Sequence, residues 1–200
     1  IKRELKIGQV QHQKNINILK KFQVRFFFKI FEFIPLKNLL KSVSIVCKEW
    51  YDFIFNHPPL WRTITFSNNY SIKKLMKYYY TIPWYYIKRL SYIGYEEAEL
   101  LEIMKYSRKL TCLERLDWKI EKLYQLECIG NLTSLKSLNL SRCYILKDLS
   151  SLINLTNLTR LSLTEIEKSV NLNVLIKITN LKILILDRCD FTDYDLDPIS

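Results

Sequence analysis

Apolar residues recur in the second half of this chain on a fixed pattern. The segments LTCLERLDW from Leu110, LTSLKSLNL from Leu132, LTNLTRLSL from Leu155 and ITNLKILIL from Ile178 each read LxxLxxLxL, with Trp118 standing at the last apolar site of the first. Their third apolar residues, Leu116, Leu138, Leu161 and Leu184, are 22, 23 and 23 residues apart. Upstream, IKRLSY and RTITF place Leu90 and Ile64 at two further steps of 26 residues. Each x-L-x-L-x core predicts a short strand, because side chains alternate between faces and both leucines then point the same way.

One such turn cannot bury its own leucines. Stacked turns can, giving a continuous apolar interior behind a parallel sheet, and a period of 22–26 residues lies in the leucine-rich-repeat range. The expected fold is α+β: a short helical unit followed by a curved solenoid of about six repeats with a parallel concave sheet. Leu116, Leu135, Leu138, Leu140, Leu158, Leu161, Leu163, Leu184 and Leu186 are assigned to the interior. The longer early repeats leave room for helices at SIKKLMKYYY and EEAELLEIMKYS, whereas the shorter LKDLSSLINL predicts 3₁₀ turns. Cys143 and Cys189 each fall five residues after a reference leucine, where a structural bond to the neighbouring loop is expected. The chain stops partway through the turn after the last strand signal without a polar cap, so the repeats are expected to be C-terminally incomplete.

The first third follows another rhythm. Phe27, Ile30, Phe31 and Ile34, then Leu36, Leu39, Leu40 and Val43, then Val46, Trp50, Phe53 and Ile54 are spaced as on helices, divided by Pro35 and Pro58-Pro59. Some 40 residues of short helix cannot bury all of that apolar surface alone. Two readings stay open on the pattern: a helical cap on the solenoid, or a docking unit for a partner. The expected divisions are a basic extension over 1–21, the helical unit over 22–62 and repeats over 63–200.

Charge sharpens this picture. The net charge is +11, and residues 1–62 hold 12 Lys/Arg against 4 Asp/Glu, leaving 19 against 16 for the rest. A basic first third suits an acidic partner surface. Five cysteines without a CxxC spacing and without a signal-peptide pattern suit a reducing intracellular compartment, cytoplasmic or nuclear. Two histidines offer little for zinc. Asp193, Asp195 and Asp197 lack the glycine and glutamate of a calcium loop. No nucleophile elbow, phosphate loop or HExxH motif occurs, so no enzyme activity, metal or cofactor is expected. Interleaved lysines and tyrosines over 73–90 keep nucleic acid as a minor alternative. No run of apolar residues is long enough for a membrane helix, and the absence of an initiator Met suggests a fragment or processed product.

If the sheet forms, its outward residues make the target-binding face. The candidates are Arg89, Arg115, Asp117, Lys119, Asn139, Arg160, Ser162, Ile183, Ile185 and Asp187. Arg89, Arg115 and Arg160 would form a loose basic file, and Ile183 with Ile185 an apolar spot suited to a protein ligand.

IFEFIPLKNLLKSVSIVCKEW followed by PPLW resembles an F-box, and with the repeats behind it the chain resembles the F-box/leucine-rich-repeat proteins. Phe22 and Gln23 stand where that family has Leu-Pro. The resemblance implies a non-catalytic substrate receptor of a Skp–cullin–F-box ubiquitin ligase. Phe22, Phe26, Phe27, Ile30, Pro35, Leu36, Leu39, Leu40, Val46 and Cys47 would face the Skp-type adaptor, and through it a cullin. Trp50 and Trp61 would lock the helices and join them to the first repeat. A protein substrate of unstated identity would be held on the concave face. The alternative is a leucine-rich-repeat scaffold whose N-terminal helices only cap the solenoid, without ubiquitin chemistry.

Overall fold

The structure, a computed structural model, describes residues 29, 48–67, 82–96, 101, 104–105, 107–167, 170–192 and 196. The chain divides into two units, Ile1–Leu60 and Trp61–Ser200. In the first, helix α1 (Lys48–Asn56) buries Phe53, Ile54 and Phe55 and half-buries Trp50. His57 closes it: Nδ1 lies 2.7 Å from the Phe53 carbonyl, which can only accept, so Nδ1 carries the proton. The imidazole also stacks on the Phe53 ring at 3.8 Å.

The second unit holds six strands: β1 (Thr63–Ser67), β2 (Arg89–Glu96), β3 (Arg115–Lys122), β4 (Ser137–Asn139), β5 (Arg160–Ser162) and β6 (Ile183–Ile185). They form one sheet in sequence order, every neighbour parallel. The register aligns Ile64, Leu90, Leu116, Leu138, Leu161 and Leu184 in a single file, as the spacing of the reference residues predicts. Glu96, placed in a helical segment by sequence, is instead the last residue of β2, paired with Lys122. The extended pairing of β2 with β3 carries the strand past the point where helical patterning begins.

Between strands the packing follows a three-residue rhythm. Leu123, Leu126, Ile129, Leu132, Leu135 and Leu138 are all buried, as are Leu146, Leu149, Leu152, Leu155, Leu158 and Leu161. A spacing of three is that of the 3₁₀ helix, in which residues i and i+3 lie one above the other. Short 3₁₀ segments indeed occupy Glu127–Ile129, Ser150–Asn154 and Leu172–Lys177. Asn171 caps the third by accepting from the Asn173 amide, whereas Asp148, one residue ahead of the N-cap Leu149 of the second, accepts from the Ser150 amide and hydroxyl. Trp61 belongs to this interior: it stands three residues before Ile64, as Ile87, Leu113, Leu135 and Leu158 stand before their own reference leucines, and all five are buried.

Two assignments need correction. Leu184 and Leu186 are only half-buried, unlike Leu161 and Leu163 one turn earlier. An inward direction buries a leucine fully only when turns stack on both sides of it, and among the described residues none pairs with β6 on its far side. The other reference residues, from Ile64 to Leu161, are fully buried. Leu138→Ala is expected to lower the stability of the repeat unit by about 2–5 kcal/mol through lost transfer energy and a residual cavity. Ile176→Ala, at a position 58% exposed, is expected to change it by less than about 0.5 kcal/mol. Urea denaturation of both variants beside the wild type measures the difference.

Candidate protein-interaction face

Alternation along the strands sends the residues one before and one after each reference residue out of the sheet. The first file runs Thr63, Arg89, Arg115, Ser137, Arg160 and Ile183, and the second Thr65, Ser91, Asp117, Asn139, Ser162 and Ile185. The candidates within the strands, Lys119 three residues after Leu116 included, therefore share one face, while Asp187 lies in the turn after β6. Arg89, Lys119, Arg160, Ile183 and Asp187 are exposed, while Asp117, Asn139, Ser162 and Ile185 are half-buried among neighbours.

Adjacency does not make the three arginines equivalent. Arg115 donates from Nε to Asp117 Oδ2 at 2.8 Å and from Nη2 to Asp117 Oδ1 at 3.2 Å, a two-point grip within one strand. That hydrogen bond, with the Asp117 charge, holds the guanidinium above its ordinary range. The basic file expected from sequence is thus neutralised in the middle, leaving Arg89 and Arg160 without an ion pair among the described residues. Elsewhere the face also satisfies itself. Asn139 Oδ1 accepts from the Ser141 amide at 3.0 Å and from its hydroxyl, and Ser162 and Thr164 share a hydroxyl hydrogen bond of 3.2 Å.

Two charge ladders lie along the opposite margins of the sheet. At the margin where strands begin, Lys88 and Lys136 flank Glu114 at 2.8 and 3.8 Å. The hydrogen bond from Lys88 is the main cause that holds the Glu114 carboxyl below its ordinary range. At the margin where strands end, Arg142, Glu165 and Arg188 occupy equivalent places in three consecutive turns, each with positive φ (65°, 56° and 54°). Left-handed backbone is costly for side chains other than glycine and asparagine. Here it aims three side chains at one another: Arg142 Nε reaches Glu165 Oε2 at 3.0 Å, Arg188 Nη1 reaches Oε1 at 3.1 Å, and the Tyr144 hydroxyl donates to Oε2 at 3.3 Å. Desolvation pushes the Glu165 carboxyl up, but the Arg142 charge and the hydrogen bonds from Arg188, Arg142 and Tyr144 outweigh it and bring the group below its usual range.

A third ladder is uncharged. Ser134 Oγ donates to the Leu113 carbonyl at 2.8 Å, Asn157 Nδ2 to Thr133 O at 2.8 Å and Asn180 Nδ2 to Thr156 O at 2.6 Å. The donors stand four residues before successive reference leucines, within LTSL, LTNL and ITNL. The repeat alignment displays this recurrence, although its polar residues stay hidden to a search for leucines.

The two repeat cysteines are structural in different degrees. Cys143 is buried, and burial pushes its thiol up to about 12, against a smaller opposing effect of a hydrogen bond with the Ile120 backbone. Cys189 is half-buried and donates to the Leu163 carbonyl of the preceding turn at 3.1 Å. Among the described residues no group of three or more His, Cys, Asp or Glu side chains could hold a metal ion. No helix among them is long and apolar enough to cross a membrane. Phe22, Phe26, Phe27, Ile30, Pro35, Leu36, Leu39, Leu40, Val46 and Cys47 lie outside the described residues, as do Asp193, Asp195 and Asp197.

Comparison with known proteins places an F-box-like domain at residues 26–67, a match that begins after Phe22 and ends with the last residue of β1. None of the curated proteins matches the chain. Two solved structures of similar shape are internalins of Listeria monocytogenes. One, internalin F, is 18% identical with a TM-score of 0.43, over 57% of this chain and 39% of its own. The other, internalin C2, is 22% identical with a TM-score of 0.41, over 50% of this chain and 42% of its own. An F-box-like domain running into a leucine-rich-repeat sheet is an architecture for binding other proteins.

The Glu165 ladder carries a definite pH signature. Its depressed carboxyl contributes stability above the unfolded-state value of about 4.3, and that contribution is lost as pH falls through the lower folded-state value. Urea midpoints of wild type and Glu165→Gln are expected to differ most near neutral pH and to converge below about pH 4. Alkylation offers a second check. At pH 8 the exposed Cys112 is expected to react with iodoacetamide well before Cys143 in the folded chain, and the order is expected to vanish in denaturant.

Proposed function

We propose that the chain is a substrate-recognition subunit: its F-box-like domain docks to a Skp-type adaptor, and its repeats hold a target protein for ubiquitination by a cullin-based ligase. The observation that carries this reading is the continuity of the two modules. The F-box-like match ends at Ser67, so the segment expected to meet an adaptor leads without a linker into the first strand of the sheet. A module that holds one protein and a surface built to hold another are what a bridging subunit requires. The role is non-catalytic; it presents a target and performs no bond chemistry. It would be exercised in the cytoplasm or the nucleus.

On this reading Phe22, Phe26, Phe27, Ile30, Pro35, Leu36, Leu39, Leu40, Val46 and Cys47 form the adaptor surface. Skp-type adaptors are acidic as a family, and the excess of 12 Lys/Arg over 4 Asp/Glu in residues 1–62 supports an encounter with such a surface. Trp50 is half-buried in α1, as a residue that locks the helices would be. The target would lie against the outward files of the sheet.

Co-expression with a Skp-type adaptor followed by size exclusion tests the reading. The wild-type chain is expected to co-elute with the adaptor, whereas Leu39→Asp combined with Leu40→Asp is expected to elute alone, because burying two unpaired carboxylates costs several kcal/mol. Circular dichroism must show both proteins folded. Elution of folded wild type without adaptor would sink the ligase role.

A further inference from the structure

The margin where the strands begin differs in charge from the margin where they end. In the two positions before each reference residue the six turns carry seven cations (Arg62, Lys88, Arg89, Arg115, Lys136, Arg160 and Lys182) against one carboxylate, Glu114. In the fourth and fifth positions after the reference residues of β3 to β6, the charges are two arginines and two glutamates, Arg142 and Arg188 against Glu121 and Glu165. One lip of the sheet is strongly basic and the other is balanced.

Pairing separates the free charges from the spent ones. Arg115 is held by Asp117, and Lys88 and Lys136 share Glu114. Arg62, Arg89, Arg160 and Lys182 are exposed and make no direct ion pair with a described residue, although the Arg62 charge, unlike the other three, also helps to lower the Glu114 carboxyl. The lip also has an apolar anchor near each end. Tyr85 and Tyr86, 54% and 36% exposed, precede Lys88 in the second turn, one strand in from Arg62, with ring centroids 4.3 Å apart, and Ile183, 44% exposed, follows Lys182 in the last described turn. The last three turns fill the places of Tyr85 and Tyr86 with Thr-Ser or Thr-Asn pairs that build the neutral ladder, and the turn before them with Thr111-Cys112, so the tyrosines stand out from the pattern.

We infer that this basic lip binds an extended acidic segment of a protein partner, laid across the strands, with carboxylates or phosphates at Arg62, Arg89, Arg160 and Lys182 and apolar side chains at its two ends. The inference names the chemistry of the target and rests on the reading of the repeats as its binding part. Five spacings of about 4.8 Å separate six strands, roughly 24 Å, which an extended peptide covers in about seven residues at about 3.3 Å each. Glu114 at the centre of the line favours a peptide over a nucleic acid: a continuous phosphate backbone would meet its carboxylate, whereas a peptide can place an uncharged residue there. The middle of the face is less suited to grip charge, because Asp117, Asn139, Ser162 and Thr164 already spend their polar atoms on one another or on neighbours.

Fluorescence anisotropy on the full chain tests this with a labelled peptide of sequence Phe-Glu-Asp-Glu-Ser-Glu-Asp-Leu. A counterpart with Gln and Asn for Glu and Asp, and a twenty-residue thymidine oligonucleotide, serve as comparisons. The acidic peptide is expected to bind, and the neutral one not. Arg89→Glu combined with Arg160→Glu should weaken binding about tenfold or more, the loss of charge-assisted contacts. Lys147→Glu combined with Lys177→Glu, exposed positions away from the lip, makes the same change in net charge and should leave affinity within about twofold, as screened, distant charges do. Equal weakening by both pairs, equal binding of the neutral peptide, or tighter binding of the oligonucleotide would overturn the inference. Adaptor co-elution of the Arg89→Glu, Arg160→Glu protein is read separately. Peptide binding that persists without adaptor binding leaves the basic lip standing and removes only the ligase.

Discussion

Every turn of the repeat unit is joined to the next by one carbonyl that accepts twice. The Arg62 carbonyl takes the amides of Lys88 and Arg89, the Lys88 carbonyl those of Glu114 and Arg115, and Glu114, Lys136 and Thr159 repeat the arrangement down to Ile183, all at 2.8–3.1 Å. A net hydrogen bond contributes only about 0.5–1.5 kcal/mol, so these do not supply most of the stability. Their importance is positional. A slip of one residue would turn the reference leucines outward and the arginines inward, and the doubled acceptor sits where such a slip would have to begin. Interior packing, the polar face and the basic lip all inherit their order from it.

Held in that register, the interior adapts to turns of unequal length. Two residues after the reference position the chain carries Tyr92 and Trp118 in β2 and β3, then Leu140 and Leu163 in the later turns, all buried. Aromatics thus accompany the eight-residue strands and leucines the three-residue ones. Trp118 shows which effect prevails. Its Nε1 is buried with no hydrogen-bond partner among the described residues, an omission that costs about 1–3 kcal/mol. Burying some 200 Å² of indole at about 25 cal/mol per Å² returns roughly 5 kcal/mol, so filling the space outweighs leaving the donor unpaired. Gly94 makes a matching concession: a Cβ there would run into the Tyr92 ring, so the absence of a side chain lets the tyrosine lie flat within the turn.

Much of this was legible in the sequence, for a physical reason. A stacked turn repeats its environment, so leucine spacing alone gave strand positions, their parallel order and the outward face. The three-residue rhythm from Leu123 to Leu138 was equally plain in the letters, and a 3₁₀ segment occupies Glu127–Ile129 within it. Interactions between turns were harder to read. Asp117 lies two residues from Arg115 on the same face, so their pairing could have been foreseen, yet an outward file of arginines read by itself suggests free charge. Glu165 meets Arg142 and Arg188 only because all three adopt a left-handed backbone, which no composition rule announces. The half-burial of Leu184 and Leu186 depends on what stacks beyond β6, and local pattern carries no information about that.

The distribution of polar satisfaction separates two tasks that a single surface would perform poorly. Side chains in the middle of the face are tied to one another, which fixes their positions and lowers their appetite for a ligand. A partner that displaced those bonds would have to replace each of them, since an unsatisfied buried group costs more than an exposed one. Arg89, Arg160 and Lys182 at the lip, without an ion pair among the described residues, carry no such debt. They stay hydrated and mobile until met by an anion, and at an exposed edge their attraction accelerates encounter more than it deepens affinity. A surface built this way favours rapid, salt-sensitive and reversible capture, with selectivity left to the shape of the polar face and the apolar anchors near its ends.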